Sequence, residues 1–281
     1  MAATTATVIV VGGGIGGATL ALALARRGID VAVIEQAAAF KPIYKGEYLQ
    51  PASLETFAAL GLTDAIRAVT YPVYVTRIGT DTGETLMQME MRELGEFEGR
   101  NGHHRQIQGA VLHALAALPN ATIQMGVRLT GLRRERDGWS LTTSAGEMRA
   151  RVIVGADGRR SAVRKLLGIA AAERPYPGAA LAVTVDLPAE AEHTFHQLFG
   201  GQDSAYYFPL PDRQARLYLG LRTDSEYDHL RAQPDGGLAH LKERLGLYFP
   251  VLRPEIAGID FLHAVQVIPS YYLMDERWVT D

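Results

Sequence analysis

The chain has 281 residues, 47% of them hydrophobic, and a formal net charge of −3. This length and composition allow a large buried core and are enough for two domains. The nearly balanced charge gives no basic footprint for nucleic acid or for an anionic membrane surface. The sequence contains no cysteine, which excludes disulfides, thiolate metal sites and a cysteine nucleophile, and which is compatible with a cytoplasmic protein.

The first predicted unit is a strand, a glycine-rich turn, a helix and a second strand, with the sequence TVIVVGGGIGGATLALALARRGIDVAVIEQ over residues 7–36. Gly12, Gly14 and Gly17 give a G-x-G-x-x-G spacing. In this motif the first glycine permits the turn, the second lets a pyrophosphate approach the backbone, and the third lets the helix pack on the strand. The helix N-terminus then presents free N–H groups and the positive end of its dipole to the pyrophosphate.

Glu35 ends the second strand, where a carboxylate can accept hydrogen bonds from a ribose 2′-OH. Its charge would repel a 2′-phosphate, so the pattern favours FAD or NAD over NADP at this site. The glycines alone could serve packing in a tight turn, but strand, helix, second strand and acid all fall in place. The uncharged stretch before Arg26 resembles a signal peptide or a membrane helix only superficially, because glycines interrupt it and a basic flank is missing.

Further along, the pattern predicts a hairpin over 73–91 and a helix that follows Arg105. The hairpin is indicated by a DTGE turn between two alternating runs, and the helix by an apolar stripe that includes Ile107 and Val111. Two more turn signals predict a small antiparallel meander. Its last strand runs into GADGRRSAVR at 155–164. On local grounds Asp157 is equally compatible with a nucleotide site and with a plain turn before a helix that Ser161 caps.

From about residue 181 the sequence becomes rich in strand-like runs, followed by a helix at about 237–249. This part holds no glycine-rich nucleotide loop, so it suits a sheet that covers a substrate. Tyr206, Tyr207, Phe208 and Tyr218 are candidates for a pocket that accepts aromatic compounds, or for ordinary sheet packing. The eight histidines show no metal-ligand spacing, and no triad or acid–base set is recognisable, so we expect no metal and a bound cofactor that carries the reaction.

These residues together resemble a known family. The opening GGGIGGATLALALARRG…VAVIEQ, the piece KGEYLQPASLETFAALGL, Arg105 ahead of its helix and above all GADGRRSAVR are similar to FAD-dependent monooxygenases of the p-hydroxybenzoate hydroxylase type. The resemblance spans essentially the whole chain. It implies an α/β fold with a Rossmann-like, glutathione-reductase-like FAD-binding domain and an inserted, mainly antiparallel β-sheet substrate domain. We expect the FAD-binding domain at 1–71 and 102–180, resuming near 269–281, and the substrate domain at 72–101 and 181–268.

The resemblance also implies roles for single residues. Gly12, Gly14, Gly17 and Glu35 would bind the ADP half of FAD, and Arg105 would contact its phosphate or ribose region. Asp157 would lie near the pyrophosphate, in a stretch that the family also associates with the NAD(P)H encounter. Lys45 and Gly46 would lie beside the isoalloxazine. The candidate cofactor-binding residues are therefore Gly12, Gly14, Ile15, Gly16, Gly17, Glu35, Gln36, Lys45, Gly46, Arg105 and Asp157; no catalytic residue is named.

The activity that the resemblance implies is hydroxylation of a small, aromatic or polycyclic substrate. In this family NAD(P)H docks transiently and reduces FAD, and O₂ adds to the flavin as a C4a-hydroperoxide that transfers oxygen. Two alternatives stay open: a flavin reductase or halogenase on the same scaffold, and a nucleotide-binding module without catalysis. Family members continue with a strand and a Gly-Asp motif that this sequence does not contain. A C-terminally truncated member is therefore the favoured interpretation, over a degenerate relative.

Overall fold

The computed structural model describes residues 4–40, 48–94, 98–188, 193–201, 203–260 and 266–280. Its strands, in chain order, are β1 (Thr4–Val11), β2 (Val31–Glu35), β3 (Tyr48–Leu49), β4 (Thr70–Val73), β5 (Val75–Thr80), β6 (Thr85–Glu90), β7 (Gly99–Gly102), β8 (Ala121–Met125), β9 (Leu129–Glu135), β10 (Gly138–Thr143), β11 (Gly146–Gly155), β12 (Ala171–Asp186), β13 (Thr194–Phe199), β14 (Asp203–Leu210), β15 (Gln214–Leu221) and β16 (Gln266–Asp275). Its α-helices are α1 (Ile15–Ala25), α2 (Pro51–Ala59), α3 (Thr63–Ala68), α4 (His104–Ala116), α5 (Ala162–Leu166), α6 (Asp224–Arg231), α7 (Leu238–Tyr248) and α8 (Arg253–Ala257).

A six-stranded sheet is built around the N-terminal strand, in the order β8-β2-β1-β11-β10-β9. β8, β2, β1 and β11 are parallel, and β10 and β9 are antiparallel additions. Successive residues of β1 enter two different cores: Val8 and Val10 pack under α1 and α4, and Ile9 and Val11 pack on the other face of the sheet. A strand buried on both faces needs a continuous apolar sequence. This sheet confirms the predicted Rossmann-like unit.

A seven-stranded sheet follows in the order β16-β12-β15-β14-β13-β5-β6, and its pairs are antiparallel except β13 with β5. α7 and α8 cover one face, where alternate residues such as Leu217, Leu219 and Tyr207 form a core with Leu241 and Leu245. The hairpin predicted over 73–91 is present as β5 and β6, and it lies at one edge of this sheet. The second, mainly antiparallel sheet is thus confirmed as well.

A three-stranded sheet of β3, β7 and β4 joins these two regions. Asn101 on β7 is fully buried, and its Nδ2 donates a hydrogen bond of 2.8 Å to the carbonyl oxygen of Pro209 on β14. Because α4 begins directly after β7, the start of the helix lies close to the second sheet, while its buried residues pack on the first.

The expected domain boundaries do not coincide with the ends of strands. The boundary at 180/181 falls inside β12, which runs unbroken from Ala171 to Asp186, and the boundary at 268/269 falls inside β16. The two strands pair with each other from Ala171 opposite Asp275 to Ala182 opposite Gln266. Both therefore belong to the seven-stranded sheet along their whole length. We propose boundaries near residues 170 and 276 instead.

Candidate functional site

A cleft of about 470 Å³ opens at the carboxyl ends of β1, β2 and β11. Ligands of open α/β sheets bind at this edge, where strands end and helices begin. The side chains and backbone that line the cleft come from the turn after β1, the end of β2, the start of α4 and the turn after β11, and include Gly12, Gly14, Glu35, Gln36, Phe40, His104, Gln108, Arg128, Asp157 and Arg160. The cleft therefore collects residues from four separate parts of the chain, within 11–40, 104–108, 127–129 and 156–162.

The glycine turn, residues 12–17, forms the floor of this cleft, and its three motif glycines have different reasons to be glycine. Gly12 has φ +110°, and a Cβ there would lie 2.3 Å from the carbonyl oxygen of Ala156. A Cβ at Gly17 would lie 2.1 Å from the carbonyl oxygen of Gly12. A Cβ at Gly14 meets no described atom within 4 Å. Two of these glycines allow the backbone to pack, and the third keeps space open beside the cleft.

Glu35 closes one end of the cleft and is held by the backbone. Its Oε2 accepts a hydrogen bond of 2.9 Å from the N–H of Gly13, and its Oε1 accepts one of 2.8 Å from the N–H of Ala37. These bonds fix the carboxylate next to the glycine turn. Each carboxylate oxygen can accept more than one hydrogen bond, so both retain capacity for the hydroxyl groups of a ribose.

The acidic turn, residues 155–161, lies directly against the glycine turn. Asp157 Oδ2 accepts hydrogen bonds from the N–H groups of Ala162 (2.6 Å) and Val163 (3.2 Å), and Ser161 Oγ accepts one of 3.0 Å from the N–H of Arg164. Both side chains therefore cap α5. Asp157 Oδ1 is buried and has no hydrogen-bond partner within the described part of the chain. One oxygen of this carboxylate therefore supports the fold, and the other is buried beside the cleft without a donor among the described residues.

The start of α4 forms another part of the cleft wall, and here the structure differs from the expectation for Arg105. Arg105 is exposed and lies outside the cleft lining, whereas His104 and Gln108 face the cleft. Gln108 is buried and its Nε2 donates a hydrogen bond of 2.7 Å to the carbonyl oxygen of Gly13. Residues four apart share one face of a helix, whereas the next residue points about 100° away. The structure thus brings His104, and not Arg105, into the cleft lining, and a cofactor contact of Arg105 stays a prediction.

The remaining candidate residues have mixed positions. Gln36 lines the cleft beside Glu35. Ile15 packs against the apolar core under α1, and Gly16 is exposed on the first turn of that helix. Both residues can contribute to the site only through their backbone N–H groups, because the first N–H groups of a helix have no acceptor within the helix. Lys45 and Gly46 lie outside the described residues.

A second surface, which we call the aromatic face, is the side of the seven-stranded sheet opposite α7 and α8. Its rings form a contiguous array: Phe195 lies 4.7 Å from Phe208, and Phe208 lies 5.3 Å from Tyr218, measured between ring centroids. Tyr206 and Tyr48 extend the array on either side. Of the four aromatic candidates from the sequence, Tyr206, Phe208 and Tyr218 thus share this face, whereas Tyr207 belongs to the core under α7.

His103 and Arg216 bring polar groups to one end of the aromatic face. Arg216 lies on β15, two residues before Tyr218, and is 1% exposed. His103 precedes α4 and forms a side-chain hydrogen bond with Gln214. Burial, and then the nearby Arg216 charge, hold the pKa of His103 below its usual value, although Asp212 and Gln214 oppose this effect. His103 is therefore neutral at neutral pH, so its ring has one nitrogen that donates and one that accepts hydrogen bonds.

These features define a dinucleotide-binding protein of the two-sheet type. The residues present fit FAD: the open space at Gly14 suits a pyrophosphate, the fixed carboxylate of Glu35 suits a ribose, and the orphan oxygen of Asp157 requires a donor. Glu35 also makes a 2′-phosphate unfavourable, as the sequence indicates. Within the described ranges, no group of three or more His, Asp or Glu side chains could hold a metal ion, and no helix is long and apolar enough to cross a membrane.

Comparison with known proteins gives the family. Residues 5–240 match the family model described as "FAD binding domain", and the chain belongs to this family. Its cofactor is FAD. Over 281 residues, the chain is 32% identical to the ubiquinone hydroxylase UbiL of Rhodospirillum rubrum, covering 97% of this chain and 64% of that protein. It is 29% identical to the 3-demethoxyubiquinol 3-hydroxylase of Escherichia coli, covering 93% of this chain and 70% of that protein.

Solved structures show the same architecture. PqsL of Pseudomonas aeruginosa in complex with 2-aminobenzoylacetate superimposes with a TM-score of 0.83 at 27% sequence identity, covering 95% of this chain and 74% of that chain. The resemblance to FAD-dependent aromatic monooxygenases and the predicted pair of sheets are thus confirmed. The chain spans about two thirds of the length of the curated relatives, 64% and 70% of the two named above.

Proposed function

We propose that this chain is the cofactor- and substrate-binding part of a flavin-dependent monooxygenase that hydroxylates a small aromatic or polycyclic compound with NAD(P)H and O₂. The observation that supports it best is the position of α4. His104 faces the FAD cleft, and the preceding residue, His103, reaches Gln214 at the end of the aromatic face. The start of α4 therefore lies between the FAD cleft and the aromatic face. An enzyme needs such proximity if its substrate is to react with a bound cofactor.

The aromatic face offers a planar substrate the contacts that it prefers. Tilted and edge-on ring pairs, such as Phe195 with Phe208 and Phe208 with Tyr218, are the favoured arrangements of aromatic groups, and a substrate ring can extend the array. The neutral His103 can donate a hydrogen bond to a carbonyl group or accept one from a phenol. Arg216 adds a positive charge that favours an electron-rich, partly ionised substrate.

FAD, when it is bound and reduced by transiently bound NAD(P)H, supplies the activation of O₂. The residues of this chain have three tasks beside that chemistry. Gly14, Glu35 and Asp157 hold the ADP half, and Phe195, Phe208 and Tyr218 position the ring of the substrate. The same apolar rings keep water away from the reacting atoms, which limits unproductive loss of the activated oxygen.

The two named relatives are hydroxylases by name, which supports hydroxylation over the alternatives on this scaffold. Because the chain spans only part of their length, the activity is proposed for the protein to which this chain belongs. We also propose the cytoplasm as its compartment.

The test uses purified protein loaded with FAD, NADPH and a panel of phenols and quinones, with isotopically labelled O₂. We expect oxidation of NADPH that the substrate stimulates, and a product that contains one labelled oxygen atom. Phe208→Ala should lower this stimulation and leave FAD occupancy unchanged. Oxidation that yields only hydrogen peroxide would indicate a reductase, and a halogenated product in the presence of halide would indicate a halogenase. FAD binding without any oxidation of NADPH would reduce the chain to a binding module.

A further inference from the structure

The aromatic face continues beyond its rings toward β6, the strand at the edge of the seven-stranded sheet. Residues directly opposite each other on neighbouring strands point to the same side of a sheet. Tyr206 of the aromatic face lies opposite Tyr218 of β15 and opposite Gln197 of β13. Gln197 in turn lies opposite Ile78 of β5, and Ile78 lies opposite Met87 of β6. These five residues form one row, which we call the cross-strand row.

The cross-strand row is buried at one end and exposed at the other. Tyr218 is 9% exposed, the three middle residues are partly buried, and Met87 is 41% exposed. The amide of Gln197 is satisfied within the row, because its Nε2 donates a hydrogen bond of 3.3 Å to the hydroxyl oxygen of Tyr206. Neighbouring strands lie about 4.8 Å apart, so the four intervals from β15 to β6 give the row a length of about 19 Å. The row is therefore a long, narrow and mainly apolar strip.

The neighbouring row on the same side of the sheet is covered by other parts of the chain. It includes Phe195 of β13 and, opposite to it, Thr76 of β5. Tyr48 stacks on Phe195 with 5.5 Å between the ring centroids, and Met91 Sδ accepts a hydrogen bond of 3.2 Å from Thr76 Oγ1. The cross-strand row is thus the more accessible path from the rings to the edge of the sheet.

We propose that the cross-strand row binds a long hydrocarbon substituent, so that the substrate is an aromatic ring that carries a flexible apolar chain. This inference rests on the hydroxylation proposed above. The ring lies against Phe208 and Tyr218 at the buried end, beside His103, and the chain runs over Ile78 to Met87. Methionine offers a pliable apolar surface that adapts to a flexible ligand. None of the five residues of the row carries a charge, so an ionic substituent would lose hydration there without gaining a partner.

The expected signature is an affinity that rises with the length of the chain. A methylene group that is fully removed from water raises affinity about fourfold, and a row that is open on one side should give half of that free energy, or about twofold. The gain should continue with each added methylene along the row and should stop once the chain extends past Met87.

The experiment measures the binding of phenols with ethyl, butyl, octyl and dodecyl chains to the FAD-loaded protein by isothermal titration calorimetry. Ile78→Thr should flatten the dependence on length for the octyl and dodecyl compounds, and Met87→Gln should flatten it for the dodecyl compound alone. Leu86→Gln is the matched control, because Leu86 is 57% exposed on the opposite face of the same strand. This control should keep the length dependence of the wild type.

Three results would overturn the proposal. The first is a wild-type affinity that does not change with chain length although the phenols stimulate oxidation of NADPH. The second is a length dependence that Ile78→Thr and Met87→Gln retain while circular dichroism shows the native fold. The third is an equal loss in Leu86→Gln, which would assign the effect to the whole hairpin. Binding that depends on chain length and on Met87, but without oxidation of NADPH, would support the row as a binding site and contradict the proposed hydroxylation instead.

Discussion

The glycine turn and the acidic turn lie side by side at the ends of two neighbouring parallel strands, yet they are built in opposite ways. The glycine turn depends on missing side chains: Gly12 and Gly17 allow contacts that a Cβ would block, and Gly14 leaves open space. The acidic turn depends on side chains, because Asp157 and Ser161 bond to the backbone of α5. The first turn is shaped for a ligand, and the second mainly satisfies its own helix.

This difference explains why a dinucleotide site needs both turns. A glycine turn alone offers N–H groups and space but has no polar side chain to orient a ligand. The acidic turn contributes one oriented oxygen, Asp157 Oδ1, and supports it through the bonds of Oδ2 to Ala162 and Val163. The close contact between the carbonyl oxygen of Ala156 and Gly12 sets the distance between the two parts.

The largest effect is expected where the two turns touch. Gly12→Ala places a methyl group against the backbone of Ala156 and requires a residue with φ +110°. Backbone strain and overpacking together should lower the free energy of unfolding by about 3 kcal/mol. Urea unfolding followed by circular dichroism measures this value. Gly14→Ala is the control, and its stability should stay within about 0.5 kcal/mol of the wild type. Equal losses in both variants would contradict the division of roles between these glycines.

The second-largest effect is expected on FAD affinity, without a change in the stability of the fold. Gly14→Val adds a side chain in the open space of the cleft, at a residue with φ −61°, which valine can adopt. We expect the fold to persist and FAD affinity to fall at least a hundredfold, or about 2.7 kcal/mol. Flavin fluorescence titration gives the dissociation constant, and thermal unfolding without FAD gives the stability. A variant that purifies with as much bound flavin as the wild type would show that this turn has only a structural role.

The sequence predicted the glycine turn well because its pattern is local. Strand, spacing, helix and terminal acid are all adjacent in the chain, so the sequence alone indicates the fold of this turn; the roles of Gly12, Gly14 and Glu35 in cofactor binding stay a prediction. Asp157 was ambiguous because the same sequence suits a nucleotide site and a plain turn before a capped helix. Only the structure shows that Oδ2 caps α5 while Oδ1 has no partner among the described residues.

The expectation for Arg105 and the structure differ because of helix phase. Arg105 was chosen by residue type and position near the helix start, but the helix begins at His104, and the cleft side is set by the buried stripe of Ile107 and Val111. Gln108 could have indicated the cleft side of α4, since a polar residue beside the buried stripe needs a hydrogen-bond partner on a neighbouring element. The expected domain boundaries fall inside strands for a different reason: β12 and β16 are long and pair with each other, and this pairing cannot be read from the local sequence.

The smallest effects separate the two capping side chains of the acidic turn. Ser161→Ala removes the acceptor of the Arg164 N–H and should lower the free energy of unfolding by about 1 kcal/mol, without changing FAD affinity. Asp157→Ala removes the acceptor of two N–H groups and should cost about 1–2 kcal/mol of stability. In addition it removes Oδ1, which is buried beside the cleft without a donor, so FAD affinity should fall by about tenfold, the contribution of one hydrogen bond to a charged group.

Asp157→Asn sharpens this test because it keeps one side-chain oxygen, removes the negative charge and replaces the other oxygen by an NH₂ group. If its side-chain oxygen continues to cap α5, stability is largely retained, while the amide that replaces Oδ1 donates a hydrogen bond where the carboxylate accepted one. A ligand hydroxyl group can adjust to this exchange, whereas a ligand N–H group cannot. FAD binding by Asp157→Asn within about threefold of the wild type would therefore identify a hydroxyl partner for Asp157 Oδ1. Unchanged affinity in Asp157→Ala as well would confine the residue to capping and leave the glycine turn as the only part of this pair that binds FAD.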